Sequence, residues 1–131
     1  MKQALLIFAL TTLTLATFAA TPPEDLTLNG TYVWSSSPNE PGDLRAVFTP
    51  AGEGKWTVNF YFHFSGRDRI YTGTAEGDLS NGNLKGEVKN EEKKRTFTFE
   101  GTTKNGDFSG QHAEVGGRYG SRKTGTLELK K

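Results

Sequence analysis

The chain of 131 residues contains no cysteine, which excludes a disulfide framework, thiolate metal ligation and a cysteine nucleophile together. Histidine is nearly as scarce, with only His63 and His112, so no histidine-rich metal centre is expected. Charge of one sign is not in excess: 16 basic residues face 15 acidic ones. That balance argues against a general polyanion binder, and no nucleic-acid partner is expected. No G-x-S-x-G elbow is present, and no glycine-rich loop opens a helix after a strand. From Leu26 onward no window carries helical periodicity. No cofactor, no metal and no catalytic constellation follow from these residues.

One apolar run stands at the start. Lys2 supplies a short positive region, Ala4 to Ala16 is apolar apart from three threonines, and small residues follow. This pattern predicts a signal peptide over residues 1–19, with cleavage after Ala19 or Ala20. A retained anchor is the competing reading, against which the run falls short of the roughly 18 residues that span a bilayer. Cleavage implies an exported protein, periplasmic or extracellular, with no membrane anchor. Removing Lys2 leaves basic and acidic residues in balance. Residues 20–26 read as a flexible lead-in, and residues 27–131 as one domain, long enough for one core and too short for two.

What remains is rich in strand and turn signals. All 16 glycines follow residue 19, a density that suits turns and close strand crossings. Lys55 to Phe64 alternates strictly: Trp56, Val58, Phe60, Phe62 and Phe64 share one face, and Lys55, Thr57, Asn59, Tyr61 and His63 the other. Period-two patterning of this kind marks a strand with one buried side. Leu44, Ala46 and Phe48 repeat it, as do Phe97 with Phe99 and Leu127 with Leu129. Eight strands are predicted, at 29–34, 43–49, 55–64, 69–79, 83–89, 94–103, 107–114 and 122–130. Asn81-Gly82 and Asn105-Gly106 are hairpin-turn dipeptides. They lie inside an internal repeat, G-x-x-x-N-G-x-(L/F)-x-G, which starts at Gly77 and again at Gly101, 24 residues apart. The predicted fold is all-β: a single-domain, eight-stranded antiparallel up-and-down meander closing into a small barrel, with an open curled sheet as the alternative. Closure requires Asn29 to Trp34 to pair with Gly125 to Leu129. The many large rings favour a filled interior.

The N-G-x-L-x-G hairpins, the opening Leu28-Asn29-Gly30-Thr31-Tyr32-Val33-Trp34 and the closing Thr124-Gly125-Thr126-Leu127-Glu128-Leu129 resemble the small calycin-type barrels, such as avidins and lipocalins. Gly106-Asp107-Phe108-Ser109-Gly110, with Ala113-Glu114 and Gly116-Gly117, is similar to the closing hairpin of the barrel domains in transferrin-binding-protein-B-like surface proteins. Both resemblances imply a barrel. With only Trp34 and Trp56, biotin chemistry is not carried over, and without cysteine neither is a lipid anchor.

In a meander, alternate connections fall at opposite ends of the barrel. One end takes the turns near Pro50 to Gly54, Asn81-Gly82 and Asn105-Gly106. The other takes Ser35 to Gly42, Ser65 to Arg69, Asn90 to Arg95 and Gly116 to Lys123, and with them Arg67, Arg69, Lys93, Lys94, Arg95, Arg118, Arg122 and Lys123. Loops on a rigid scaffold carry function, and barrel mouths hold ligands. The candidate binding residues are therefore Arg67, Arg69, Lys93, Arg95, Arg118 and Arg122. His112 joins them because it shares parity with Phe108 and Gly110, although a hydrogen-bonded structural histidine is the ordinary reading of such a residue. The expected function is a non-enzymatic binding module that meets an anionic small molecule or an acidic protein surface at this basic end. A small-ligand carrier with an aromatic-lined barrel cavity is the second reading, and a carboxylate-dependent hydrolase the third.

Overall fold

A computed structural model describes residues 24–92, 94–116 and 120–131. The expected signal peptide lies outside these residues. Eight strands follow in order: β1 (Leu26–Trp34), β2 (Ser37–Gly52), β3 (Lys55–Phe64), β4 (Arg67–Gly77), β5 (Gly82–Asn90), β6 (Arg95–Lys104), β7 (Asp107–Val115) and β8 (Arg122–Lys130). Each pairs antiparallel with the next, and β1 pairs with β8 to close the barrel. The seam runs from Asn29↔Lys130 to Trp34↔Gly125, the two segments on which closure depends. In the closed meander every strand is paired on both sides along part of its length, so there is no edge strand.

Parity places the core as the alternation predicts. Leu44, Ala46 and Phe48 of β2, Val58 and Phe60 of β3, Phe97 and Phe99 of β6, and Leu127 and Leu129 of β8 are all buried. The largest fully buried side chains are Phe48, Phe108, Leu28, Leu84, Leu129 and Val58. All six lie in the half of the barrel where β1 begins and β8 ends. Truncating one of its phenylalanines to alanine would cost about 3–5 kcal/mol. Glycines allow this narrow cross-section. Gly101 and Gly110 face each other across β6 and β7. A Cβ on Gly101 would lie 2.1 Å from the Ser109 carbonyl oxygen, and one on Gly110 2.3 Å from that of Glu100. These frame glycines of the repeat are close strand crossings, as expected.

The turns differ from expectation in three places. Asn105-Gly106 is a two-residue turn with positive φ at both residues (53° and 87°), the primed geometry that matches strand twist. Asn81-Gly82 is not its equal. The loop is Asp78 to Asn81, where the Asp78 carboxylate accepts the N–H groups of Ser80 (2.7 Å) and Asn81 (3.1 Å). Those two bonds hold the Asp78 carboxyl below its usual range. At the opposite end, Ser65-Gly66 is a second two-residue turn with φ of 53° and 75°, so β4 starts at Arg67 rather than 69. The expected loop from Ser35 to Gly42 is mostly strand: Trp34 pairs with Ser37 and Tyr32 with Gly42. The extra residues, with Pro38 and Pro41 among them, form an irregularity in the ladder, where a missing N–H is tolerated.

One end of the barrel is sealed. Asn105 N–H donates to the Asn81 side-chain oxygen and Gly106 N–H to the Ser80 carbonyl, both at 3.0 Å. The Thr103 hydroxyl donates to the Asp78 carbonyl at 2.6 Å. The two loops of the internal repeat are thus bonded to each other, and Leu79, carried between them, is buried in the core. The opposite end has no such plug among the described residues.

Candidate functional site: a cavity at the basic mouth

Toward the unplugged end the interior is not filled. A cavity of about 140 Å³ lies there, a departure from the filled interior that the ring content favours. Its wall is aromatic. Phe60, Phe62 and Phe64 come from the end of β3, Tyr32 and Trp34 from the end of β1, and Tyr71 and Phe97 from the starts of β4 and β6. The rings brace one another by edge and tilted contacts, with Tyr32–Phe62 at 5.2 Å, Phe62–Tyr71 at 5.4 Å and Tyr71–Phe97 at 5.6 Å between centroids. These are the favourable geometries for aromatic pairs. Phe64, 39 % exposed, lies at the rim. Rings fixed against their neighbours in this way cannot collapse into the space they enclose.

Among the predicted binding residues, Arg69, Arg95 and His112 come together on the cavity wall. Arg69 shares the inward parity of Tyr71 and Ala75 on β4, and Arg95 that of Phe97 and Phe99 on β6. Arg95 is spoken for. Its Nε donates to Glu114 Oε2 at 2.8 Å and its Nη2 to the same oxygen, while its guanidinium lies 5.0 Å from the Phe97 ring centroid and 5.8 Å from that of Trp34. Arg67 and Arg122 are exposed and do not line the cavity. Lys93 and Arg118 lie outside the described residues.

His112 is a clasp. Its Nε2 donates to the Val33 carbonyl at 3.1 Å, and its Nδ1 meets the Thr124 hydroxyl at 2.6 Å. A ladder irregularity between His112 and Ala113 turns Thr124 inward, which the plain alternation of β8 does not foresee. One ring thereby ties β7 to both β8 and β1. Burial pushes its pKa below the ordinary 6.5, partly opposed by the Val33 carbonyl. The other histidine faces outward as predicted, with His63 Nδ1 3.0 Å from exposed Asp68.

Sequence reasoning missed Tyr71. Its hydroxyl pKa is raised mainly by burial, against the lowering influence of Arg95 and Arg69. The inward row Arg69-Tyr71-Gly73-Ala75 was available as an alternation, but Ile70, 52 % exposed on the outer face, obscures it.

Among the described residues no carboxylate lines this cavity, so they bring no pair of carboxyl groups together there for glycosidase-type chemistry. Among the described residues no group of histidine, aspartate and glutamate side chains could hold a metal ion. Compared with known proteins, the chain matches no family model, no curated protein and no solved structure.

Proposed function

We propose that this is an exported, non-enzymatic binding protein of calycin-like architecture that holds a small ligand in the cavity at its basic mouth. The observation that carries the reading is an aromatic-walled space of about 140 Å³ in a barrel whose other end is bonded shut. Small-molecule sites are concave, mostly apolar and largely preformed, with a few polar groups at fixed positions. Of the readings drawn from the sequence, this favours the small-ligand carrier and keeps the basic end as the place of contact. The signal-peptide pattern of residues 1–19 supports export.

Fluorescence tests it. Trp34 lines the cavity, whereas Trp56 stands at the opposite end, its Nε1 donating to the Gly77 carbonyl at 3.4 Å. In a Trp56→Phe background, saturable change in Trp34 emission on adding a neutral single-ring compound such as benzamide is expected. Val88→Phe, which places a ring into the cavity from β5, abolishes that change while the barrel stays folded. Unaltered emission in the parent, or undiminished binding in the filled variant, rejects the cavity as the site.

A second reading rests on the rim. Phe64, 39 % exposed, pairs across the turn with exposed Arg67, a mixed apolar and basic rim that suits an acidic protein partner.

A further inference from the structure

The hydrogen-bonding capacity left over around the cavity is mainly that of donors. Tyr32 donates its hydroxyl to the His63 carbonyl, His112 is satisfied at both ring nitrogens, and Arg95 is held by Glu114. Three polar side chains remain. Arg69, half-buried at the start of β4, has no ion pair or hydrogen bond among the described residues. The Tyr71 hydroxyl, next in the same inward row, has no hydrogen-bond partner there either. Trp34 Nε1–H, buried from solvent, has no acceptor among the described residues. Each can donate, and of the three only the Tyr71 hydroxyl can also accept.

A ligand that suits this wall brings acceptors and a compact apolar body. A purely apolar ligand would strip water from Arg69 and Tyr71 and return nothing, at a cost to affinity. A carboxylate accepts from both, and a charge-assisted bond from a guanidinium is the stronger kind. Arg69 is the one cation on the described wall without an anion, which matches a single negative charge. Size sets the rest: an apolar cavity of about 150 Å³ holds one benzene ring, and this one is about 140 Å³. Flat walls formed by Phe60, Phe62, Tyr71 and Phe97 favour a planar ring over a long flexible chain.

We infer that the site is selective for small aromatic monocarboxylates of the size of benzoate, with the ring in the aromatic well and the carboxylate at the rim on Arg69 and the Tyr71 hydroxyl. This rests on the cavity being a ligand site, and the probes separate the two propositions. Calorimetric titration of the intact protein compares benzoate with its neutral isostere benzamide and with the benzylammonium cation. Benzoate is expected to bind about tenfold more tightly than benzamide, with benzylammonium weakest. Arg69→Gln reduces benzoate to the level of benzamide and changes benzamide, which carries no charge, much less; Tyr71→Phe gives a smaller loss, larger for benzoate than for benzamide. Added salt weakens benzoate and spares benzamide, a readout that needs no substitution. Equal binding of benzoate and benzamide overturns the carboxylate selectivity and leaves the cavity reading standing. Benzylammonium binding as well as benzoate overturns it too, and so does a preference that survives Arg69→Gln. Failure of all three probes to bind removes the cavity reading and this inference together.

Discussion

Replacing His112 with phenylalanine separates two jobs that one side chain does at the seam of the barrel. The imidazole packs edge-on against Trp34 and Phe97, with centroids 5.2 and 6.1 Å away, and hydrogen-bonds Val33 of β1 and Thr124 of β8. Phenylalanine keeps a ring in place and loses both bonds. Each bond contributes about 0.5–1.5 kcal/mol net, and leaving a buried partner unpaired costs about 1–3 kcal/mol. Thr124 retains some satisfaction, because its hydroxyl can also donate to the His112 carbonyl, 3.2 Å away; Val33, opposite Thr126 in the ladder, loses the imidazole donor. A loss of about 2–4 kcal/mol follows, a large part of the roughly 5–15 kcal/mol that stabilises a typical domain. At about 4–8 °C per kcal/mol for a domain near this size, Tm falls by roughly 10–25 °C. Thermal unfolding followed by circular dichroism at pH 7.5 and pH 5 measures both this loss and its pH signature. Burial depresses the folded pKa below 6.5, so between that lowered value and 6.5 the unfolded chain binds more protons than the folded one. The neutral ring's stabilisation is therefore complete above about pH 6.5 and declines as the solution is acidified. The wild-type protein should lose stability over this window, and His112→Phe should lose measurably less. The geometry contains its own alternative: a protonated Nδ1 could donate to Thr124, whose hydroxyl then donates to the His112 carbonyl. If that cationic arrangement prevailed, acidification would stabilise the wild type relative to the variant, and the neutral-clasp argument would be refuted.

Two glycine substitutions probe the sealed half. Gly101→Ala sets a Cβ 2.1 Å from the Ser109 carbonyl oxygen and 2.5 Å from the Gly110 Cα; backbone cannot yield as a flexible side chain does, so about 2–3 kcal/mol of destabilisation is expected from chemical denaturation. An unchanged midpoint would mean that β6 and β7 part easily. Gly106→Ala is milder, because the nearest atoms belong to the Lys131 side chain, and its cost is the positive φ of 87°, about 1–2 kcal/mol. Its effect on benzoate affinity at the other end should be nil, and a weakened affinity would deny that the two ends act independently.

The barrel was legible because its sequence is most regular where its structure is. Lys55 to Phe64 alternates without exception, and all five of its outward residues project from the wall as that alternation requires. The seam follows because the first and last strands carry apolar residues of matching parity. Three things were not legible. Asn81-Gly82 carries the same dipeptide as Asn105-Gly106, yet Asp78 captures the preceding N–H groups and shifts the turn, a local competition that the dipeptide does not reveal. Thr124 alternates as an outward residue and is turned inward by a ladder irregularity, where its hydroxyl meets His112. From sequence the cavity is only the second reading, behind a filled interior, for a different reason. Large rings in a row indicate volume available for filling, but whether they interlock or brace apart depends on their mutual angles, which a sequence does not carry.

Counting basic residues led to the end of the molecule where the cavity lies but could not rank them. The ranking comes from parity at strand ends. An arginine on the inward row of a barrel must either reach water at the rim or find an anion, because a desolvated unpaired charge is prohibitively costly. Arg95 takes the second course, pairing with Glu114 and lying over two rings, which makes it part of the wall. Arg69 takes the first, and keeps its bonding capacity. Exchanging the two roles tests this division. Glu114→Gln leaves Arg95 without its anion, so the mouth then offers two unpaired cations. Affinity for benzoate should rise, with a steeper dependence on salt, while stability falls by about 3–5 kcal/mol at most, since the pair is only partly buried and solvent screening reduces the loss. Were benzoate affinity to fall instead, the Arg95–Glu114 pair would have to be part of the binding surface itself, and Arg69 would not be the residue that reads the charge.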